Sequence, residues 1–190
     1  MPPLRESAAF PVLPEAQGHA GDAPRARLED EVVALFDEFR NPLLRYLSSF
    51  GLPLADSEEL LQEVFLALWQ HLERGKSRDN LRGWLFRVAH NLALKRRYRT
   101  RRDTQARGLA GAEDLAIDPA PNPEERAAGR QARERLLAVV DALPEQDRRC
   151  LFLRAEGLRY REIAEILGMS LGAVSLSLSR SLARMGRPKA

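Results

Sequence analysis

Residues 162–174 read EIAEILGMSLGAV, and no other stretch restricts the backbone as tightly. A small residue, Ala164, stands four positions before Gly168, and the branched Val174 stands six positions after it. A helix-turn-helix needs this spacing. The small residue lets two short helices cross closely, the glycine takes a left-handed turn, and the branched residue locks the second helix. Ser170 is placed to cap that second helix. Ile163, Leu167, Leu178 and Leu182 recur at core-facing intervals. The spacing favours a DNA-reading helix pair over a plain helical hairpin, and both readings stay open on spacing alone.

Upstream, Leu28, Val32, Leu35, Phe36, Phe39, Leu43, Leu47 and Phe50 form one apolar stripe at helical spacing. Pro42 is expected to kink this helix or split it after Arg40, and Gly51 to end it. A second helix is expected from DSEELLQEVFLALWQHL, with Asp56 and Glu59 as a capping box and Leu60, Leu61, Val64, Phe65, Leu68 and Leu72 inward. A third lies in NLRGWLFRVAHNLALKRRYRTRR, with Leu81, Leu85, Val88 and Leu92 inward. Its other side carries Arg87, His90, Asn91, Lys95, Tyr98 and Arg99, and it ends in a basic run from Lys95 to Arg102. Between Asp103 and Gly129 the periodicity fades in a proline-containing, net acidic linker. Helical pattern resumes near Arg130 with Leu136, Leu137, Val140 and Leu143; Pro144 opens the next helix and Gly157 closes it. No strand pattern competes, so the expected fold class is all-α, in two small helical domains. The expected division is a disordered arm at 1–27, domains at 28–102 and 130–186, a linker at 103–129 and a tail at 187–190.

Charge is nearly balanced, at 30 basic and 27 acidic residues, but the basic residues cluster, and 27 of them are arginine, which suits phosphate contacts. Cys150 is the single cysteine, so no intrachain disulfide can form, and its setting in RRCLFLR reads as a buried small hydrophobe. His19, His71 and His90 have no metal-ligand spacing. No nucleophile–base pair, metal cluster or phosphate loop is present, so neither enzyme activity nor a cofactor is expected. No apolar run approaches the ~20 residues of a membrane span, and no signal-peptide core is seen. The expected place of action is the cytoplasm, without membrane insertion.

Three stretches, DSEELLQEVFLALW, LRGWLFRVAHNLALKRRYR and LPEQDRRCLFLRAEGLRYREIAEILGMSLGAV, stand in this order within residues 28–102 and 130–185, which together make up about two-thirds of the chain. In them the chain resembles the extracytoplasmic-function class of bacterial RNA polymerase sigma factors. The resemblance implies a first domain that melts the −10 promoter element, a second that reads the −35 element, and a linker entering the polymerase cleft. From the residues alone, a solvated tether fits that linker equally well.

By the same resemblance Glu59, Gln62 and Glu63 form a face that docks on core RNA polymerase; a solvated acidic face is the alternative. Strand separation calls for cations on phosphates and flat groups to stack on bases. Arg87, His90, Asn91, Lys95, Arg96, Tyr98 and Arg99 offer both toward the −10 element, and Trp84 is expected in the core. Lys95 stands where the family usually has an acid, which implies an altered promoter preference. For the −35 element the implied residues are Ser170, Ser175, Ser179, Arg180 and Arg184. The family's usual threonine, lysine and arginine fall on Ala173, Ser175 and Ser177, so weak −35 reading is expected, with −10 contacts or an activator carrying more of the specificity. An anti-sigma factor is the further partner implied. Two other readings remain: a stand-alone helix-turn-helix regulator, and a helical protein-binding adaptor with a degenerate reading helix.

Overall fold

The computed structural model describes residues 22–106 and 136–186. The expected arm from 1 to 21, most of the expected linker and the tail from 187 lie outside the described residues. Every regular element among those described is an α-helix.

Three long helices form the first half: α1 (Asp22–Ser48), α2 (Leu54–Glu73) and α3 (Leu81–Ala106). α1 begins six residues before the Leu28 boundary and runs through Pro42 without a break. The expected split therefore does not occur. A helical proline removes one backbone bond, and here the buried row of Phe39, Leu43, Tyr46 and Leu47 holds both sides of it in one element. Gly51 follows with φ 68°, a left-handed conformation that glycine adopts without strain. The core between the helices is filled by Leu43, Leu47, Leu60, Val64, Leu68, Leu85 and Phe86, each at most 2 % exposed. Burial on this scale supplies most of the stability of helices whose own propensity is weak.

One start signal differs from expectation. α2 begins at Leu54 with Pro53 as N-cap, so Asp56 lies inside the first turn and caps nothing. Its carboxylate instead accepts from Arg96 at 3.1 Å. α3 is opened by Asn80, whose Oδ1 accepts from the Gly83 N–H at 3.1 Å. A Cβ at Gly83 would stand 2.5 Å from the Asn80 amide nitrogen, so a larger residue there would have to shift the capping side chain.

The second half comprises a short helix α4, described at residues 136–141, then α5 (Glu145–Ala155), α6 (Tyr160–Leu167) and α7 (Leu171–Met185). Gly168, at φ 64° and ψ 35°, turns the chain left-handed after α6. Ser170 then accepts from the Ala173 N–H at 3.2 Å and caps α7. The chain bends by 103° between α6 and α7, within the range of a helix-turn-helix. Ala164 and Val174 are buried at the crossing with Ile163, Leu153, Leu158 and Leu178. Leu182 is not part of this core. It is 59 % exposed, because the inward arc of α7 is narrow and is taken by Val174, Ser177, Leu178 and Ser181.

The halves meet along one seam. The Arg149 guanidinium lies 4.2 Å from the centre of the Phe50 ring. Glu156 accepts from Arg45 at 2.7 Å, and its carbonyl accepts from Arg82 at 3.1 Å. Arg87 pairs with Glu165, and Arg97 with Glu145.

Candidate functional site

Three surfaces carry the residues singled out above. On α2, Glu59, Gln62 and Glu63 are all exposed, as a helix places residues three and four apart on one side. They do not stand alone. Arg96 of α3 reaches across to Glu59 at 2.9 Å, to Asp56 at 3.1 Å and to Glu63 at 3.7 Å. The hydrogen bond and charge of Arg96 hold the Glu59 carboxyl below its ordinary range.

α3 divides into two sides. Arg87, Asn91, Lys95, Tyr98 and Arg102 follow one another by three or four residues and are all exposed, making one polar stripe along the helix. Tyr98 is 65 % exposed, and the Arg102 guanidinium lies 5.9 Å from its ring centre. Arg99 is exposed at the stripe's edge. Sequence reasoning left Arg102 in the basic run without giving it a place on the stripe; its position four residues after Tyr98 was the available signal.

Two residues expected on that side lie elsewhere. His90 is 6 % exposed, bonded through Nδ1 to the Tyr46 hydroxyl at 2.8 Å and packed edge-on against Phe50. Burial, with the nearby Arg149 charge adding to it, pushes its pKa down to about 4, so the ring is neutral at pH 7. It is a core group. Arg96 projects to the side of α3 that faces α2, away from the stripe, and its partners there are the three carboxylates. Trp84 is half-buried against His71, their ring centres 4.6 Å apart, on the border of the core rather than inside it.

On α7 the outward arc is Gly172, Ser175, Leu176, Ser179 and Ala183, all exposed and none charged. Leu171 and Leu182 flank it, at 51 % and 59 % exposed. Of the three positions where the family carries a threonine, a lysine and an arginine, Ser175 alone is exposed; Ala173 is half-buried and Ser177 is fully buried. Ser170 is occupied as the N-cap. Arg180 is tied to the buried Asp147 at 3.0 Å. Burial pushes the Asp147 carboxyl upward, but the hydrogen bond and charge of Arg180 oppose it, and the group is held below its ordinary range. Arg184, one turn further, is exposed. Cys150 is buried beside Met169, and burial pushes its thiol pKa upward, so it has no thiolate character.

Among the described residues no group of His, Cys, Asp and Glu could hold a metal ion. No single described helix is long and apolar enough to cross a membrane; α6 and α7 satisfy length and composition only as a pair bent by 103°.

Residues 35–103 match the family profile described as sigma-70 region 2, and residues 133–185 match that of sigma-70 region 4. The chain belongs to the extracytoplasmic-function class of RNA polymerase sigma factors. Among relatives, the RNA polymerase sigma factor CnrH of Cupriavidus metallidurans is 32 % identical over 146 residues, which is 72 % of this chain and 75 % of CnrH. The ECF RNA polymerase sigma factor SigL of Mycobacterium tuberculosis is 33 % identical over 151 residues, 76 % of this chain and 81 % of SigL. The probable RNA polymerase sigma factor RfaY of Xanthomonas campestris pv. campestris is 38 % identical over 136 residues, 68 % of this chain, but this chain spans only 33 % of RfaY. In fold the sigma factor resembles RpoE of Bartonella quintana, solved with the anti-sigma factor NepR, at a TM-score of 0.65 and 21 % identity over 84 % of this chain and 94 % of that one. Sigma factors direct RNA polymerase to promoters, and they are initiation factors rather than enzymes.

Proposed function

We infer that the two halves divide this work as follows. The acidic face of α2, Glu59, Gln62 and Glu63, docks on a basic surface of core RNA polymerase. The α3 stripe engages the −10 element: Arg87, Lys95, Arg99 and Arg102 on phosphates, Asn91 on polar edges, and Tyr98 as a stacking platform for an unpaired base. Arg87 joins once Glu165 of α6 releases it. The carrying observation is the stripe itself, five exposed residues of matched chemistry along one helix, none of them in the core. The second half meets the −35 region weakly, through Ser175, Ser179 and Arg184, because the outward arc of α7 offers little to attract phosphate. The chain acts in the cytoplasm, where core polymerase is found, performs no catalysis of its own and needs no cofactor. An anti-sigma factor is a fitting further partner, by analogy with the RpoE relative solved with NepR.

The test is a binding titration of the purified chain with core RNA polymerase, comparing wild type with Glu59→Arg/Glu63→Arg. A stable complex that the double variant loses by at least tenfold supports docking through α2. Equal binding by both proteins would remove α2 from the interface.

A further inference from the structure

The acidic face of α2 is already occupied from within. Asp56, Glu59 and Glu63 lie on one side of the helix, and Arg96 is the cation between them, at 3.1, 2.9 and 3.7 Å. The arrangement is lopsided in exposure. The Arg96 side chain is only 19 % exposed, while Glu59 and Glu63 remain 59 % and 45 % exposed. The carboxylates therefore face outward, and the arginine sits beneath them with its planar fork spread over more than one partner. Any basic surface that approaches Glu59 and Glu63 meets two effects at once. It finds carboxylates whose charge is partly satisfied, and it brings its own cations close to a like charge.

We propose that Arg96 is an internal occupant of the docking face, so that docking is an exchange in which the partner's cations replace the Arg96 guanidinium on Glu59 and Glu63. Arg96 then sets both affinity and selectivity. A partner with a scattered positive field gains little from carboxylates already paired, whereas one presenting cations at hydrogen-bonding distance from both can complete the exchange. This rests on the reading that α2 docks on core polymerase.

The experiment is a double-mutant cycle on the full chain with core RNA polymerase at fixed salt, with folding checked by thermal melts in circular dichroism. Arg96→Met keeps the apolar stem and removes the charge. It binds about fivefold tighter than wild type, the scale of one screened charge pair at a protein surface. Glu59→Gln/Glu63→Gln binds at least tenfold weaker, and adding Arg96→Met to that background gives no gain. Arg96→Lys, whose point charge satisfies one carboxylate at a time, shows a smaller gain of the same sign. It decides the matter if the methionine variant does not fold. If the acid variants weaken docking while Arg96→Met and Arg96→Lys bind as wild type or worse, Arg96 only braces α2 against α3 and the exchange is wrong. If the acid variants leave docking unchanged, the α2 reading fails, and the exchange falls with it.

Discussion

α3 and α7 are the two helices a sigma factor is expected to present to DNA, and they are built oppositely. α3 places Arg87, Asn91, Lys95, Tyr98 and Arg102 along its exposed side. α7 exposes Gly172, Ser175, Leu176, Ser179 and Ala183 along its outward arc, with Arg180 and Arg184 to one side of it. Yet α7 sits in the more completely specified local structure, with a left-handed glycine before it, a serine cap at its start and Val174 fully buried beneath it. The difference shows that a helix-turn-helix needs only its inward arc to form. Its outward arc contributes almost nothing to folding, so it can lose its cations while the scaffold stays intact. That α7 is mostly serine and leucine has a structural reason: part of the serine content is packing. Ser177 and Ser181 are fully buried, with the Ser181 hydroxyl returned to the Ser177 carbonyl at 2.9 Å.

The contrast predicts its largest effect on α3. Lys95→Ala/Tyr98→Ala/Arg102→Ala removes two phosphate-seeking cations and one stacking ring, and stacking alone is worth about 1–3 kcal/mol per base. Promoter opening by the reconstituted holoenzyme, followed by permanganate footprinting of unpaired thymines, falls by about 100-fold. Ser175→Ala/Ser179→Ala on α7 changes the same readout by less than about threefold, as expected of exposed hydroxyls. Equal losses from the two variants would break the comparison.

A smaller effect tests the division within α3 between stripe and core. His90 faces Tyr46 of α1, Phe50 just beyond it and Arg149 of α5. Its folded pKa of about 4 lies below the ordinary value of 6.5. Below pH 6.5 the unfolded chain takes up a proton that the folded chain refuses, so stability is full above that pH, declines as pH falls toward 4, and levels off below it. The loss is bounded by about 3 kcal/mol. Urea unfolding of wild type minus His90→Gln, measured between pH 7 and pH 4, isolates it. A difference that does not vary with pH would return His90 to the solvent side.

His90 also shows where sequence reading stops. Glycine at 168, serine at 170 and the small and branched residues around them were legible because each answers a local backbone demand. The all-helical fold and most of the core followed from periodicity. His90 and Leu182 were placed wrongly because each sits at the margin of an apolar arc, where burial depends on what the neighbouring helix brings. Arg96 was placed with the basic run for the same kind of reason. Its partners on α2 lie 33 to 40 positions away, and periodicity along α3 carries no information about them. The Asp56 and Glu59 capping box failed because Pro53 starts the helix earlier, which freed both carboxylates for that arginine.

The smallest predicted effect restores what α7 lacks. Ser175 is exposed on the outward arc, so Ser175→Lys adds a cation without disturbing the inward one. If that arc faces DNA in the holoenzyme, promoter affinity rises a few-fold at low salt, and the slope of log affinity against log salt steepens by about 0.9, one phosphate's worth. Ser177→Lys serves as the internal contrast. Ser177 is fully buried, so a lysine there must carry its ammonium into the packed crossing beside Val174 and Leu178 or force α7 outward, and the second half unfolds before any DNA gain can be read. An unchanged slope with Ser175→Lys, in a protein that melts like wild type, would mean that this arc does not approach phosphate in the promoter complex. The contrast between the two helices would then be one of use as well as of charge, with α3 alone on DNA and the leucines of α7 left for protein.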